Sequence, residues 1–166
     1  MSDGAGSASS GEVVDSDVDL RVSRQRWDLR RAPWAVLAVV SAGGTLGALA
    51  RYGLAMAWPH RPGGFPWATF VTNASGCLLI GVLMVLITEV WAAHRLLRPF
   101  LGTGVLGGYT TFSTYTVDIQ QLIVAGAART GLLYLVATLV AALVAAYAGI
   151  AATRWATRNR PRRRIR

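Results

Sequence analysis

Four apolar blocks, residues 34–58, 67–91, 99–127 and 130–153, restrict what this chain can become. Each exceeds the roughly 20 residues that an α-helix needs to cross a hydrocarbon core about 30 Å thick. Inside lipid a backbone N–H or C=O finds no water, so a segment of this length spans as a helix that satisfies its own polar groups. With 53% hydrophobic residues gathered into blocks, the composition is too apolar for an ordinary soluble domain. The expected fold is an all-α membrane protein with four transmembrane helices in one domain, residues 32–153. Pro33 suits the first turn of the first helix.

The third block contains a stretch that makes poor helix: Gly107-Gly108-Tyr109-Thr110-Thr111-Phe112-Ser113-Thr114-Tyr115-Thr116. Glycine costs about 1 kcal/mol in a helix interior, and Ser and Thr compete for backbone hydrogen bonds. Gly107 lies eight residues past Pro99, about 12 Å of helical rise, so the third helix is expected to break near mid-membrane. Opened backbone at that depth builds ion sites in channels and transporters. The carbonyl oxygens of residues 107–110 suit a hard cation such as Na+, fixed and structural. The surrounding groups suit a small anion instead. Asn73 offers amide N–H donors, Thr, Ser and Tyr offer O–H donors, and aromatic rings present a positive edge. Phe112 and Tyr115, three apart, share a face if helix resumes after the break.

Other polar positions leave two readings open. Thr69 and Asn73, four apart, share a helix face, and an asparagine near mid-span serves either as an interhelical clasp or as a ligand. Tyr134 and Thr138 are also four apart. They line a path, or one is an interface aromatic and the other bonds its own backbone; singly, the second reading is preferred. Arg51 snorkels to the outer interface or faces a water-filled vestibule, and position alone favours the first. Asp118 must be hydrogen-bonded, paired or protonated. Gly43, Gly44 and Gly47 form a small-residue face. Four helices leave little room for a central pore, so pores are expected between subunits.

All 17 basic residues are arginine, and most flank the two ends and the middle loop. That asymmetry places both termini in the cytoplasm. Residues 1–31 read as a disordered cytoplasmic tail without signal-peptide features. The Arg-rich tail 154–166 suits anionic lipid, not nucleic acid. Cys77 is the only cysteine and a packing residue, and His60 and His94 lack ligand spacing. No nucleophile–base pair, phosphate loop or metal cluster indicates an enzyme.

Three motifs then give a specific likeness: Gly43-Gly44-Thr45-Leu46-Gly47-Ala48-Leu49-Ala50-Arg51-Tyr52, Thr72-Asn73-Ala74-Ser75-Gly76-Cys77, and residues 107–115. In order and spacing the chain resembles the Fluc (CrcB) family of fluoride channels, over about residues 34–153. The resemblance implies a fluoride-specific channel of the bacterial inner (cytoplasmic) membrane. It implies an antiparallel dimer whose two fluoride pores flank a central Na+ that is not transported. Gly107 and Thr110 would then hold Na+ through backbone carbonyls, and Phe112 and Tyr115 would be the pore rings. Asn73 would donate to fluoride, with Thr69, Tyr134 and Thr138 along a polar track, and Arg51 would be the family's first-span arginine. Three positions depart from the family pattern: Tyr115 stands where Phe is usual, Asp118 where Glu is usual, and Ala142 where a hydroxyl is common. The strong charge bias leads to the expectation that the chain inserts mainly one way and pairs with an oppositely oriented sibling chain.

Two other classes compete. A coupled small multidrug transporter also uses four short helices in dimers, but needs a carboxylate in the first span, which here has none. A non-transporting scaffold explains the arginine tails but neither Asn73 nor the broken helix.

Overall fold

A computed structural model describes residues 33–59, 62–90 and 96–158. The expected disordered tail 1–31, the arginines from residue 160 onward, His60 and His94 lie outside the described residues. Helix α1 is Pro33–Ala57, and α2 is Trp67–Val85, followed by a π-helical turn Leu86–Val90. A π-helix, Pro99–Leu106, leads into the single turn α3, Gly107–Tyr109. Helix α4 is Ser113–Val124 and α5 is Ala128–Arg158. The segments Trp34–Ala57, Trp67–Glu89 and Ala128–Arg158 are each long and apolar enough to cross a membrane. The third apolar block forms no single helix of that kind, being divided among the π-helix, α3 and α4.

Helices α2 and α5 form the main packed pair. They cross where glycines let the backbones touch. A Cβ on Gly81 would collide with the Ala146 carbonyl, and one on Gly149 with the Leu78 carbonyl. In lipid no hydrophobic force drives helices together, so close van der Waals contact between small residues is the adhesive. Gly43 of α1 meets Gly104 of the π-helix in the same manner: a Cβ on Gly104 would stand 3.0 Å from the Gly43 Cα. Most large apolar side chains point outward, among them Leu46, Leu49 and Met56 on α1 and Leu132, Leu139 and Leu143 on α5.

The turn from α4 into α5 is a Schellman cap. Gly126 takes φ +75°, where a Cβ would be strained. The Ala127 N–H donates to the Leu122 carbonyl at 2.8 Å, and the Gly126 N–H to the Ile123 carbonyl at 3.0 Å. The third block, expected to run helical to 127, therefore stops at Val124. Helix α5 continues past the expected end at Thr153 as far as Arg158. That extension lets the Arg154 guanidinium reach Glu89 Oε1 at 2.9 Å and tie the end of α5 to the π-helical turn after α2. Both partners are substantially exposed, so the pair contributes at most about 1 kcal/mol.

Candidate ion pathway

The backbone leaves helical geometry at Thr110, which is extended with ψ 157°, and resumes it at Ser113. The expected opening from Gly107 to Thr110 is thus corrected: Gly107, Gly108 and Tyr109 are helical, and the irregular residues are Thr110, Thr111 and Phe112. Of the paired glycines, Gly108 serves close approach instead, whereas a Cβ on Gly107 would meet only the Gly102 carbonyl, at 3.9 Å. A Cβ on Gly108 would collide with the Gly44 carbonyl of α1.

Asn73 holds the break open. Its Nδ2 donates to the Thr111 carbonyl at 2.9 Å, and its Oδ1 accepts from the Thr111 N–H at 2.9 Å. One side chain thereby satisfies both backbone groups of one irregular residue. In an unbroken helix the Thr111 N–H would go to the Gly107 carbonyl, four residues back. Likewise the Thr114 N–H, the helical donor for the Thr110 carbonyl, goes to Thr111 Oγ1 at 3.1 Å. The Gly107 and Thr110 carbonyls have therefore both lost their helical donors. Thr110 is anchored by its own hydroxyl, which donates to the Leu106 carbonyl at 2.9 Å. Gly76 of α2 lies directly beneath it, where a Cβ would strike the Thr110 methyl. The Tyr109 and Ser75 hydroxyls are 2.9 Å apart. Since Ser75 donates to the Val71 carbonyl at 2.6 Å, Tyr109 is the donor between them.

A cavity of about 640 Å3 opens beside the break, lined by Asn73, Thr111, Phe112, Tyr115, Thr138 and Ala142 among others. Gly107 and Thr110 also border it. The Phe112 and Tyr115 ring centroids are 5.8 Å apart, and Tyr115 packs in turn against Tyr134 at 5.3 Å with the rings tilted 54°. The Tyr115 hydroxyl donates to the Leu135 carbonyl at 2.9 Å. The extra group at this position thus ties α4 to α5. Thr138 Oγ1 is buried and has no hydrogen-bond partner among the described residues. It does not bond its own helix, so a hydroxyl at the cavity wall is left for water or an ion.

Tyr134 and Asp118 sit apart from that cavity. Tyr134 is fully buried, and its hydroxyl donates to Asp118 Oδ2 at 3.3 Å. Tyr134 is therefore no interface-belt aromatic. It anchors α5 to α4 and receives Phe65 edge-on at 5.2 Å. Asp118 is itself buried and borders a smaller cavity of about 390 Å3 with Pro62 and Gln121. On the other face of the break, Arg51 is half-buried. It lines a cavity of about 360 Å3 with the hydroxyl residues Thr69, Thr72, Thr111, Ser113 and Thr114. Thr111 borders both this cavity and the main one. Its part as the partner of Asn73 had no local signal, because Asn73 bonds its backbone N–H and C=O, which every residue of the run 110–116 also carries.

The sequence model of the family described as CrcB-like protein, Camphor Resistance (CrcB) matches residues 38–150. A protein of Streptomyces avermitilis named fluoride-specific ion channel FluC 2 is 61% identical over 114 residues, covering 66% of this chain and 72% of that protein. A protein of Nocardia farcinica with the same name is 56% identical over 123 residues, covering 74% and 88%. One from Rhizobium meliloti, named fluoride-specific ion channel FluC, is 41% identical over 117 residues, covering 70% and 94%. With its broken segment and its apolar helices inside the matched region, the chain belongs to the CrcB-like family, whose named relatives are ion channels and not enzymes.

Proposed function

We propose that this protein is a fluoride channel that lowers cytoplasmic fluoride by passive export through the bacterial inner membrane. Four crossings are needed, the third interrupted near the midplane by residues 110–112. The observation that carries the reading is the reciprocal bond between Asn73 and the Thr111 backbone, set beside a cavity that holds Phe112, Tyr115 and the unpartnered Thr138 hydroxyl. One Asn73 N–H goes to Thr111, and the second remains for an anion. The Thr138 O–H adds a neutral donor, and the Phe112 edge a weak positive field. Such groups compensate lost hydration without the full charge that would trap fluoride, which is what conduction requires. Thr69, Tyr134, Asp118 and Arg51 support the walls and the vestibule on either side.

The donor set also fits a structural Na+. The Gly107 and Thr110 carbonyls, released from helical bonding, are hard oxygen ligands of the right kind. When bound there, Na+ supplies a fixed positive charge that offsets carbonyl dipoles facing the anion path.

A second chain completes the site. Phe112 is 79% exposed in the single chain, although it stands next to the break. An antiparallel partner would cover that ring and wall the open cavity, giving two pores per dimer. The arginine bias favours one orientation for this chain, with an oppositely inserted sibling as partner. C-terminal reporter fusions should show one dominant orientation; equal populations would remove the need for a sibling.

The test is fluoride efflux from liposomes with Na+ present and no proton gradient. The wild type, with its partner, should empty the vesicles. Phe112→Ile should slow efflux about tenfold, the size expected for losing an aromatic contact of up to about 1.5 kcal/mol. Folding should be unaffected, because the ring makes little contact within the chain. Vesicles that retain fluoride as well as empty ones would end the proposal.

A further inference from the structure

We propose that the cytoplasmic end of α5 carries a binding site for the headgroup of an anionic phospholipid, built from Arg154, Trp155 and Arg158. Arg154 and Arg158 are four apart and so share a helix face. A shallow groove of about 310 Å3 along this face is lined by Tyr147, Ile150, Ala151, Arg154, Trp155 and Arg158. The spacing of those six residues, at steps of three and four, is one stripe of an α-helix. Trp155 is 71% exposed and Tyr147 73% exposed, so that edge of the stripe faces outward, while Ile150 and Arg154 border the α2–α5 contact.

Depth places the stripe at the headgroups. From Arg129, near the start of α5, to Arg154 is 25 residues, about 38 Å of helical rise. That exceeds the hydrocarbon core of about 30 Å and falls within the full bilayer of about 40–45 Å. Arg154 and Arg158 therefore stand among phosphates, with Trp155 at the interface level that indoles favour. Tyr147, Ile150 and Ala151 lie one to two turns deeper, where an acyl chain runs.

The charges decide the occupant. Arg154 is partly neutralised by Glu89, whereas Arg158 has no acidic partner among the described residues. The stripe thus keeps a net positive charge over an apolar floor, a pattern that fits a phosphodiester with attached acyl chains. A free phosphate would use only the upper half. The sequence after Arg158 adds five more arginines within eight residues, whose charge would attract anionic lipid to this end.

The experiment uses the full chain in nanodiscs of phosphatidylcholine with a minor fraction of phosphatidylglycerol, and reads co-purifying lipid by mass spectrometry. Wild type should retain phosphatidylglycerol over phosphatidylcholine. Arg158→Gln should reduce that preference about tenfold or more, the loss expected for one direct hydrogen bond to a charged phosphate. Neutralising Arg160, Arg162, Arg163, Arg164 and Arg166 together should reduce it less than Arg158→Gln does. Millimolar inorganic phosphate should not displace the lipid. Fluoride efflux by Arg158→Gln in vesicles of matched composition should stay at the wild-type level, separating this site from the pore. An unchanged lipid preference in Arg158→Gln overturns the proposal, as does a preference lost only when the five tail arginines are neutralised. Displacement by phosphate would also overturn it.

Discussion

Asn73→Asp is expected to cut fluoride efflux by about 100-fold or more while the purified protein keeps its elution volume and helical content. The substitution is nearly isosteric, so packing is retained and chemistry alone changes. The Thr111 carbonyl, now 2.9 Å from Nδ2, would face a carboxylate oxygen. It loses its donor and meets a like partial charge. Leaving a buried acceptor unsatisfied costs about 1–3 kcal/mol before any charge is counted. At about 1.4 kcal/mol per tenfold, the upper part of that range alone reaches two orders of magnitude. The carboxylate also repels the anion that the second amide N–H is proposed to receive. Asn73→Ala should be equally inactive but should also lose stability, because both Thr111 backbone groups are then orphaned. Wild-type flux through Asn73→Asp would show that neither the splint nor the donor matters. A protein that aggregates on this change alone would assign Asn73 to folding.

The long helices were legible because a membrane span announces itself by length and apolarity; the Gly126 reversal was not, because one glycine inside an apolar block reads equally as helix interior, and the expected span ran on to 127. The break was legible only as a region. Ten residues from Gly107 to Thr116 make weak helix, yet three leave it. Which three is decided by a partner 38 positions away: Asn73 captures the Thr111 N–H, and the ladder fails there and not at the glycines. Gly107 and Gly108 were misread for the same reason. Their small size is equally compatible with an opened backbone or with close packing, and only the position of α1 shows that Gly108 is used for packing. Long-range polar pairs such as Tyr134 with Asp118, Tyr109 with Ser75 and Arg154 with Glu89 carry no periodic signal. Tyr134 illustrates the cost of reading singly. As an isolated tyrosine it suits the interface; beside a buried carboxylate it is a core hydrogen-bond donor.

Gly81→Ala should unseat α2 from α5, and the effect should be far larger than one methyl group ordinarily produces. The new Cβ would run into the Ala146 carbonyl, with the Ala146 carbonyl carbon and the Ile150 nitrogen both at 3.2 Å. All three are backbone atoms of a continuous helix, so no rotamer change relieves the clash and the helices must separate. Overpacking costs about 1–3 kcal/mol where side chains can adjust, and a backbone-to-backbone contact belongs at the top of that range. About 3 kcal/mol is roughly a 100-fold loss in the folded-to-unfolded ratio. The reciprocal contact at Gly149 with Leu78 opens with it, since both glycines serve the same crossing. Gly53→Ala is the matched control: nothing lies within 4 Å of its Cβ, and the helix gains about 1 kcal/mol in propensity. Thermal unfolding in detergent should place Gly81→Ala well below the wild type and Gly53→Ala at or above it. Efflux should follow stability, because α5 carries Thr138 and the Tyr134 ring that backs Tyr115. Equal melting temperatures for the two variants would show that the α2–α5 crossing is looser than these contacts require, and that the pore wall is held by something other than this pair of glycines.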